Sequence, residues 1–375
     1  MKKETLRLSF LAVLVVAVCL GFLSGIVGEL WINNFLAPDI QFKSYQDLTK
    51  RLDEMVAERN SELKDILTEH DQSVKDVLNR LAGTTVRFYG YQVPGSKLSN
   101  VYLDTDVLGS GFVLTSDGWL VTSQKVVRDP RAALAVQIEN KIYAVKEIVA
   151  DTLTDVVLVK IEAQNLAVAE LGTKNSLTVG QTMLVATNNL GVRKAAIDDL
   201  THVDLSTMAS VLHSSENFYQ YIRLNDTFGN DYIGAPVLNL NGKVVGLLAD
   251  AKGMVLPIDY FASIMKTAIQ DGTVVRNSLG VNYVDLTAAP NFVSSVNEGA
   301  LLASDGIRPA VVANSPASKA GLLAGDIIMK VENEEVNSFN TLTQLIQDYS
   351  SDATIKLRVW RGDKEIELSV TLEKL

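Results

Sequence analysis

With 375 residues, 47% of them hydrophobic and 21% charged, the chain is too long for one small binding module and too apolar to be disordered throughout. A formal net charge of −10 argues against nucleic-acid binding, because neutralising phosphates needs a basic face. The single Cys19 excludes an internal disulfide and thiolate metal clusters, and the three histidines His70, His202 and His213 make a histidine metal centre a poor reading, so neither metal nor cofactor is expected.

The first element is an apolar run. From Leu8 to Gly28 there are 21 uncharged residues, which at about 1.5 Å per residue span a hydrocarbon core of roughly 30 Å. Lys2, Lys3 and Arg7 precede the run while Glu29 and Asp39 follow it, so the N-terminus is expected in the cytoplasm and the rest outside, with Trp31 at the interface. A cleaved signal peptide is the competing reading. The run exceeds the usual apolar length of about 7–15 residues and ends without a small-residue cleavage site, which favours a retained anchor over residues 1–32.

A helical stalk is expected next, over residues 33–84. Between Asp39 and Ala82 there is no Gly or Pro, and apolar residues recur with a helical period from Leu48 through Leu52, Met55, Leu63, Ile66, Val74 and Val77 to Leu81. Ser44 and Asp47 resemble a capping box, and Gly83 stands just past the end. The heptad register slips around Arg59 to Leu63, so packing on the next domain and self-association are both open.

From Thr85 to about Ile258 the pattern becomes short β-branched runs broken by turns, including Val86–Tyr89, Leu120–Ser123, Leu134–Ile138, Val156–Ile161 and Lys243–Leu248. Such spacing argues an all-β barrel or sandwich. The stretch Gly109-Ser110-Gly111 through Gly118 to Thr122 resembles the opening of the protease domain of the HtrA family of trypsin-like serine proteases. The resemblance implies a trypsin-like double β-barrel over residues 85–270. It assigns the general base to the position of Lys125, in Thr122-Ser123-Gln124-Lys125-Val126-Val127, and the orienting carboxylate to Asp155, in Thr154-Asp155-Val156-Val157-Leu158. The nucleophile segment matches Ile222 to Pro236 without a gap, so the serine position holds Ile233 and an oxyanion-donor glycine position holds Asp231.

The chemistry of these residues opposes catalysis. A lysine ammonium at its ordinary pKa near about 10.4 is protonated at neutral pH and takes no proton, and an isoleucine side chain has no nucleophilic atom. Asp155 is expected to pair with Lys125, which would compensate a buried charge. Ser110, Ser123 and the cluster His213-Ser214-Ser215 lie outside the nucleophile turn, and a polar loop explains the cluster.

After a helix-like stretch at Tyr260–Ile269, the segment Asn314-Ser315-Pro316-Ala317 through Ala320-Gly321-Leu322 to Gly325-Asp326-Ile327-Ile328 resembles the core of bacterial PDZ domains, here over residues 278–375. PDZ domains add an extended peptide to a sheet edge and hold its terminal carboxylate on backbone N–H groups. Ser278, Leu279, Gly280 and Val281 match that carboxylate loop, and a helix over Ser338–Tyr349 would form the other wall, with Leu342, Leu345 and Ile346 as core. The excursion Asn297–Ala310 has no purpose legible in the residues.

Together these readings describe a mainly β protein with a transmembrane helix, a helical stalk, a trypsin-like double β-barrel and a C-terminal PDZ domain. The expected function is that of an HtrA-like pseudoprotease in the cell envelope, anchored in the membrane through Leu8–Gly28, that binds peptide C-termini or envelope proteins and regulates an active protease. The resemblance implies a homotrimer or co-assembly with an active paralogue. The alternative is an active serine-type endopeptidase with a reorganised site, serving envelope protein quality control.

Overall fold

The computed structural model describes residues 2–31, 74–78, 81, 83–92, 101–129, 131–187, 191–207, 210–289 and 296–375. The helix Lys2–Trp31 contains a span, Ala12–Leu30, long and apolar enough to cross a membrane. Residues 32–73 of the expected anchor and stalk lie outside the described residues. Residues 74–78 are helical, and Val74, Val77 and Leu81 are buried in one cluster with Trp119, Phe218 and Phe261, so this end of the expected stalk packs on the globular part.

Six strands close the first barrel: β1 (Thr85–Gly90), β2 (Val107–Val113), β3 (Trp119–Ser123), β4 (Leu134–Ile138), β5 (Lys141–Ala150) and β6 (Val156–Ile161), hydrogen-bonded in the order β1-β2-β3-β6-β5-β4 with β4 returning to β1. The second is built from β7 (Glu170–Leu171), β8 (Thr182–Ala186), β9 (Val192–Val203), β11 (Gln220–Leu224), β12 (Pro236–Leu238), β13 (Lys243–Leu248) and β14 (Met254–Pro257). Its path β12-β8-β9-β11-β14-β13 closes through pairing of β12 with β13, and β7 adds to β13 in parallel.

The alternation of strand side chains explains why several strands read as unbroken apolar runs. On β6, Val157, Val159 and Ile161 fill the first barrel's interior, while Val156 and Leu158 face a core shared with the second barrel. On β13 the alternation is broken where the pairing with β12 slips between Gly246 and Val244, so that Val244 and Leu247 reach the shared core while Val245 and Leu248 fill the second barrel. Both faces are buried over most of each strand, and the one lysine on each lies at or next to a strand end, Lys160 on β6 and Lys243 on β13.

A helix, Ala262–Asp271, ends at Gly272 in the left-handed conformation and leads to the third sheet. That sheet comprises β16 (Asn282–Asp285), β17 (Ala300–Leu302), β18 (Ile327–Val331), β20 (Thr354–Arg361) and β21 (Lys364–Thr371) in this order, with β19 (Glu334–Glu335) on β18. A separate pair joins β15 (Asn277–Ser278) to β22 (Glu373–Lys374). The excursion Asn297–Ala310 thus supplies β17, the strand between β16 and β18. Ser315 caps the short helix Pro316–Lys319 through Ser318 N–H, with Pro316 in the first turn. The wall helix runs Leu342–Gln347, shorter than expected because Thr341 caps it, and Leu342, Leu345 and Ile346 are core as expected.

The edge of this third sheet is occupied by a strand from the barrel region. Leu212–Ser214 (β10) pairs antiparallel with β16, placing Leu212 opposite Val284, His213 opposite Tyr283 and Ser214 opposite Asn282.

Candidate functional site

Lys125 lies in the turn after β3, where its own N–H donates to Ser123 Oγ at 3.2 Å and the Gln124 N–H donates to the Asp155 carbonyl at 2.7 Å. Asp155 precedes β6 with φ of 56°, a left-handed conformation that a short polar side chain tolerates. Both residues line an open cleft of about 230 Å³ together with Asp204, Tyr221, Asp250 and Lys252. The expected Lys125–Asp155 ion pair is not made. Lys125 Nζ instead donates to the Ala249 carbonyl at 2.8 Å, because the chain just beyond β13 brings that acceptor within reach of the ammonium.

Ile233 follows a single 3₁₀ turn, Asn230–Tyr232. Its side chain packs against the first barrel's core cluster, which includes Val126 and Val127. Ser110 clamps the turn to β2: its Oγ donates to the Asp231 carbonyl at 2.6 Å and its N–H to the Ile233 carbonyl at 2.8 Å. The clamp is braced in turn by Thr122, whose hydroxyl donates to the Ser110 carbonyl at 2.6 Å. An oxyanion site on this fold needs the N–H of the residue at the nucleophile position. Here the Ile233 N–H is used inside the turn, donating to the Asn230 carbonyl at 3.1 Å. The structure therefore brings Lys125 and Asp155 to one cleft and places Ile233 and Asp231 on the adjoining turn, with the backbone donor already engaged.

The second candidate site is the loop Ser278–Val281. Leu279 is fully buried, and Gly280 has φ of 81° with its Cα against Ser315, so that a Cβ there would collide with the Ser315 side chain. The carbonyls of Leu279 and Gly280 accept from Ala317 N–H and Val312 N–H, both at 2.9 Å, on one side of the loop. The N–H groups of Leu279 and Gly280 donate to the Glu216 carboxylate, at 2.9 and 2.8 Å, and Ser278 Oγ reaches the same oxygen at 3.2 Å. Val281 exchanges bonds with Ser215, whose N–H donates to the Val281 carbonyl at 3.0 Å and whose Oγ accepts from the Val281 N–H at 3.1 Å.

Residues 109–247 match the trypsin-like peptidase domain family and residues 278–372 the PDZ domain family. A probable periplasmic serine endoprotease DegP-like of Marinomonas sp. is 28% identical over 76% of this chain and 61% of its own length, and the serine endoprotease DegS of Haemophilus influenzae is 23% identical over 80% and 88%. The chain belongs to the HtrA family. It spans about three fifths of the length of the DegP-like relatives. The fold of the HtrA-type protease AlgW, solved with a tripeptide, superposes with a TM-score of 0.60 at 19% identity, covering 80% of this chain and 97% of AlgW.

Within this HtrA-family chain, sequence reasoning missed the ionic contacts that join the barrels to the PDZ domain. Arg276, 3% exposed, donates to the fully buried Asp151 through Nε at 3.1 Å and through Nη2, and to the Tyr260 carbonyl at 2.9 Å. Lys174 Nζ donates to the Phe339 carbonyl at 2.6 Å and to Gln344 Oε1 at 2.7 Å, and burial pushes its pKa down to about 8. Burial likewise raises Asp348 to about 6. Neither contact has a local sequence motif; each pairs residues more than a hundred positions apart. His213-Ser214-Ser215, read as a polar loop, is instead a docked strand end with His213 stacked on Tyr219 at a 3.5 Å centroid distance.

Proposed function

We propose that this HtrA-family chain is a membrane-anchored envelope protein that recognises peptides or protein partners through its PDZ domain and does not cleave peptide bonds at the barrel cleft. The observation carrying this reading is the turn at Asn230–Ile233, where a hydrocarbon side chain occupies the nucleophile position and the Ile233 N–H is spent on Asn230. Covalent acyl transfer needs an attacking heteroatom and a pair of oxyanion donors; the turn has no such atom at Ile233, and one of the two donors is already engaged. Lys125 Nζ is turned to the Ala249 carbonyl, and the position facing it in the family's triad carries no hydroxyl to activate. The anchor reading draws support from the apolar helix and from the periplasmic relatives.

Purified full-length chain in detergent, incubated with unfolded casein, tests the first half: no turnover is expected, and turnover that disappears on Asp155→Ala would overturn it. Titration with a pool of peptides carrying free C-terminal carboxylates, against the same pool amidated, tests the second. Selective binding of the free-carboxylate pool is expected.

A further inference from the structure

The PDZ groove of this chain is filled. β10 adds to the free edge of β16 in the antiparallel register that an extended peptide would take. A hydroxyl on the wall helix holds it from the other side, Thr343 Oγ1 donating to the Ser214 carbonyl at 3.1 Å while bonded to Tyr283 OH at 3.0 Å. Arg308 Nη1 donates to the Leu212 carbonyl at 3.0 Å. An interior segment has no terminal carboxylate to give the loop. The chain solves this by turning: Asn217 N–H donates to the Ser214 carbonyl at 3.1 Å, and the turn lifts the Glu216 side chain onto the N–H groups of Leu279 and Gly280. Ser214 Oγ and Ser215 Oγ each donate to that carboxylate at 2.8 Å and fix its orientation.

We propose that the segment Leu212–Glu216 is a ligand held in cis by the peptide groove, with the Glu216 carboxylate in the place of a peptide's C-terminal carboxylate. Peptides ending in a free carboxylate bind only by displacing it, so their apparent affinity is lowered by the fraction of chains with the segment undocked. This deepens the peptide-binding reading and rests on it for the displacing ligand. The segment runs directly into Tyr219, which bonds Asp285 of β16 at 2.7 Å and also lines the cleft beside Lys125, so the groove and the cleft share a residue.

The test uses the full chain in detergent micelles. Hydrogen–deuterium exchange is followed at Leu279 and Gly280, and anisotropy measures binding of a free-carboxylate pool randomised in its last four residues. Glu216→Ala is expected to speed exchange at both amides and to strengthen pool binding, each by about tenfold or more, since it removes two charge-assisted hydrogen bonds. Glu216→Gln, which keeps an acceptor and loses the charge, falls between. A second variant does not depend on opening the groove: Ser214→Cys with Asn282→Cys, at opposed positions of β10 and β16, locks the segment when oxidised and abolishes pool binding until reductant is added. Unchanged exchange in Glu216→Ala, or undiminished binding by the oxidised lock, overturns the proposal. If exchange rises in Glu216→Ala while no variant binds any peptide, the cis ligand stands and the peptide-binding reading falls.

Discussion

Arg276 and Asp151 illustrate how much a single buried pair can govern here. The guanidinium carbon lies 5.4 Å from the Phe218 ring, and Asp151 also accepts from the Leu153 N–H at 3.2 Å and from the Thr154 hydroxyl. A charge pair desolvated to this degree contributes little net stability, yet removing one partner strands the other. Arg276→Met is therefore expected to lower unfolding free energy by about 3–5 kcal/mol, and Asp151→Leu combined with it to recover most of that, as read by urea denaturation. His213 gives a pH prediction. Burial holds it neutral down to about 4, with Asp285 opposing the shift and Arg308 adding to it; Tyr219 and Tyr283 are the other titratable groups packed on its ring. A depressed histidine binds fewer protons in the folded state, so its stabilising share is complete above about 6.5 and is lost as pH falls to about 4. The midpoint of thermal unfolding should thus fall more steeply over that range in the native chain than in His213→Phe. Asp348, raised to about 6, acts with the opposite sign and is common to both proteins, so the difference isolates His213.

Among the elements, the turn Asn230–Gly234 is the most constrained. Gly234 has φ of 81°, and a Cβ there would meet the Ser110 carbonyl and, at 2.6 Å, Thr122 Oγ1. Gly234→Ala is expected to destabilise by about 3 kcal/mol or more, measured by denaturation, since it adds a backbone collision to an unfavourable dihedral. Strands buried on both faces, such as β6 and β13, were legible as apolar runs. β5 and β9 were not, because Lys141, Lys146 and Glu147 on the first and Arg193, Lys194, Asp198 and Asp199 on the second break the pattern where the strand faces solvent. β10 carries only three residues and pairs with a strand some seventy positions later, so periodicity has nothing to detect. The residues of both candidate sites were proposed from the resemblance to family motifs. Their partners were not: Ala249 for Lys125 and Glu216 for the carboxylate loop are set by tertiary approach alone.

At the scale of the molecule, residues Ser73–Leu375 form one compact unit in which barrels and PDZ sheet share a strand, a buried ion pair and the Lys174 contact. A PDZ domain bound at three places to its neighbour is not an independent module on a linker. The N-terminal helix, long enough to span a bilayer, predicts that the chain stays in the membrane fraction after alkaline carbonate extraction with Met1–Trp31 intact by mass spectrometry; release into the supernatant would contradict the anchor. In the proposed reading, the Ile233 hydrocarbon stands where a protease of this family keeps its attacking oxygen. Treating the full-length chain with a fluorophosphonate and mapping adducts by peptide mass spectrometry tests this directly. No adduct on the residues around the cleft is predicted, and a stoichiometric adduct on any side chain lining it would contradict the account.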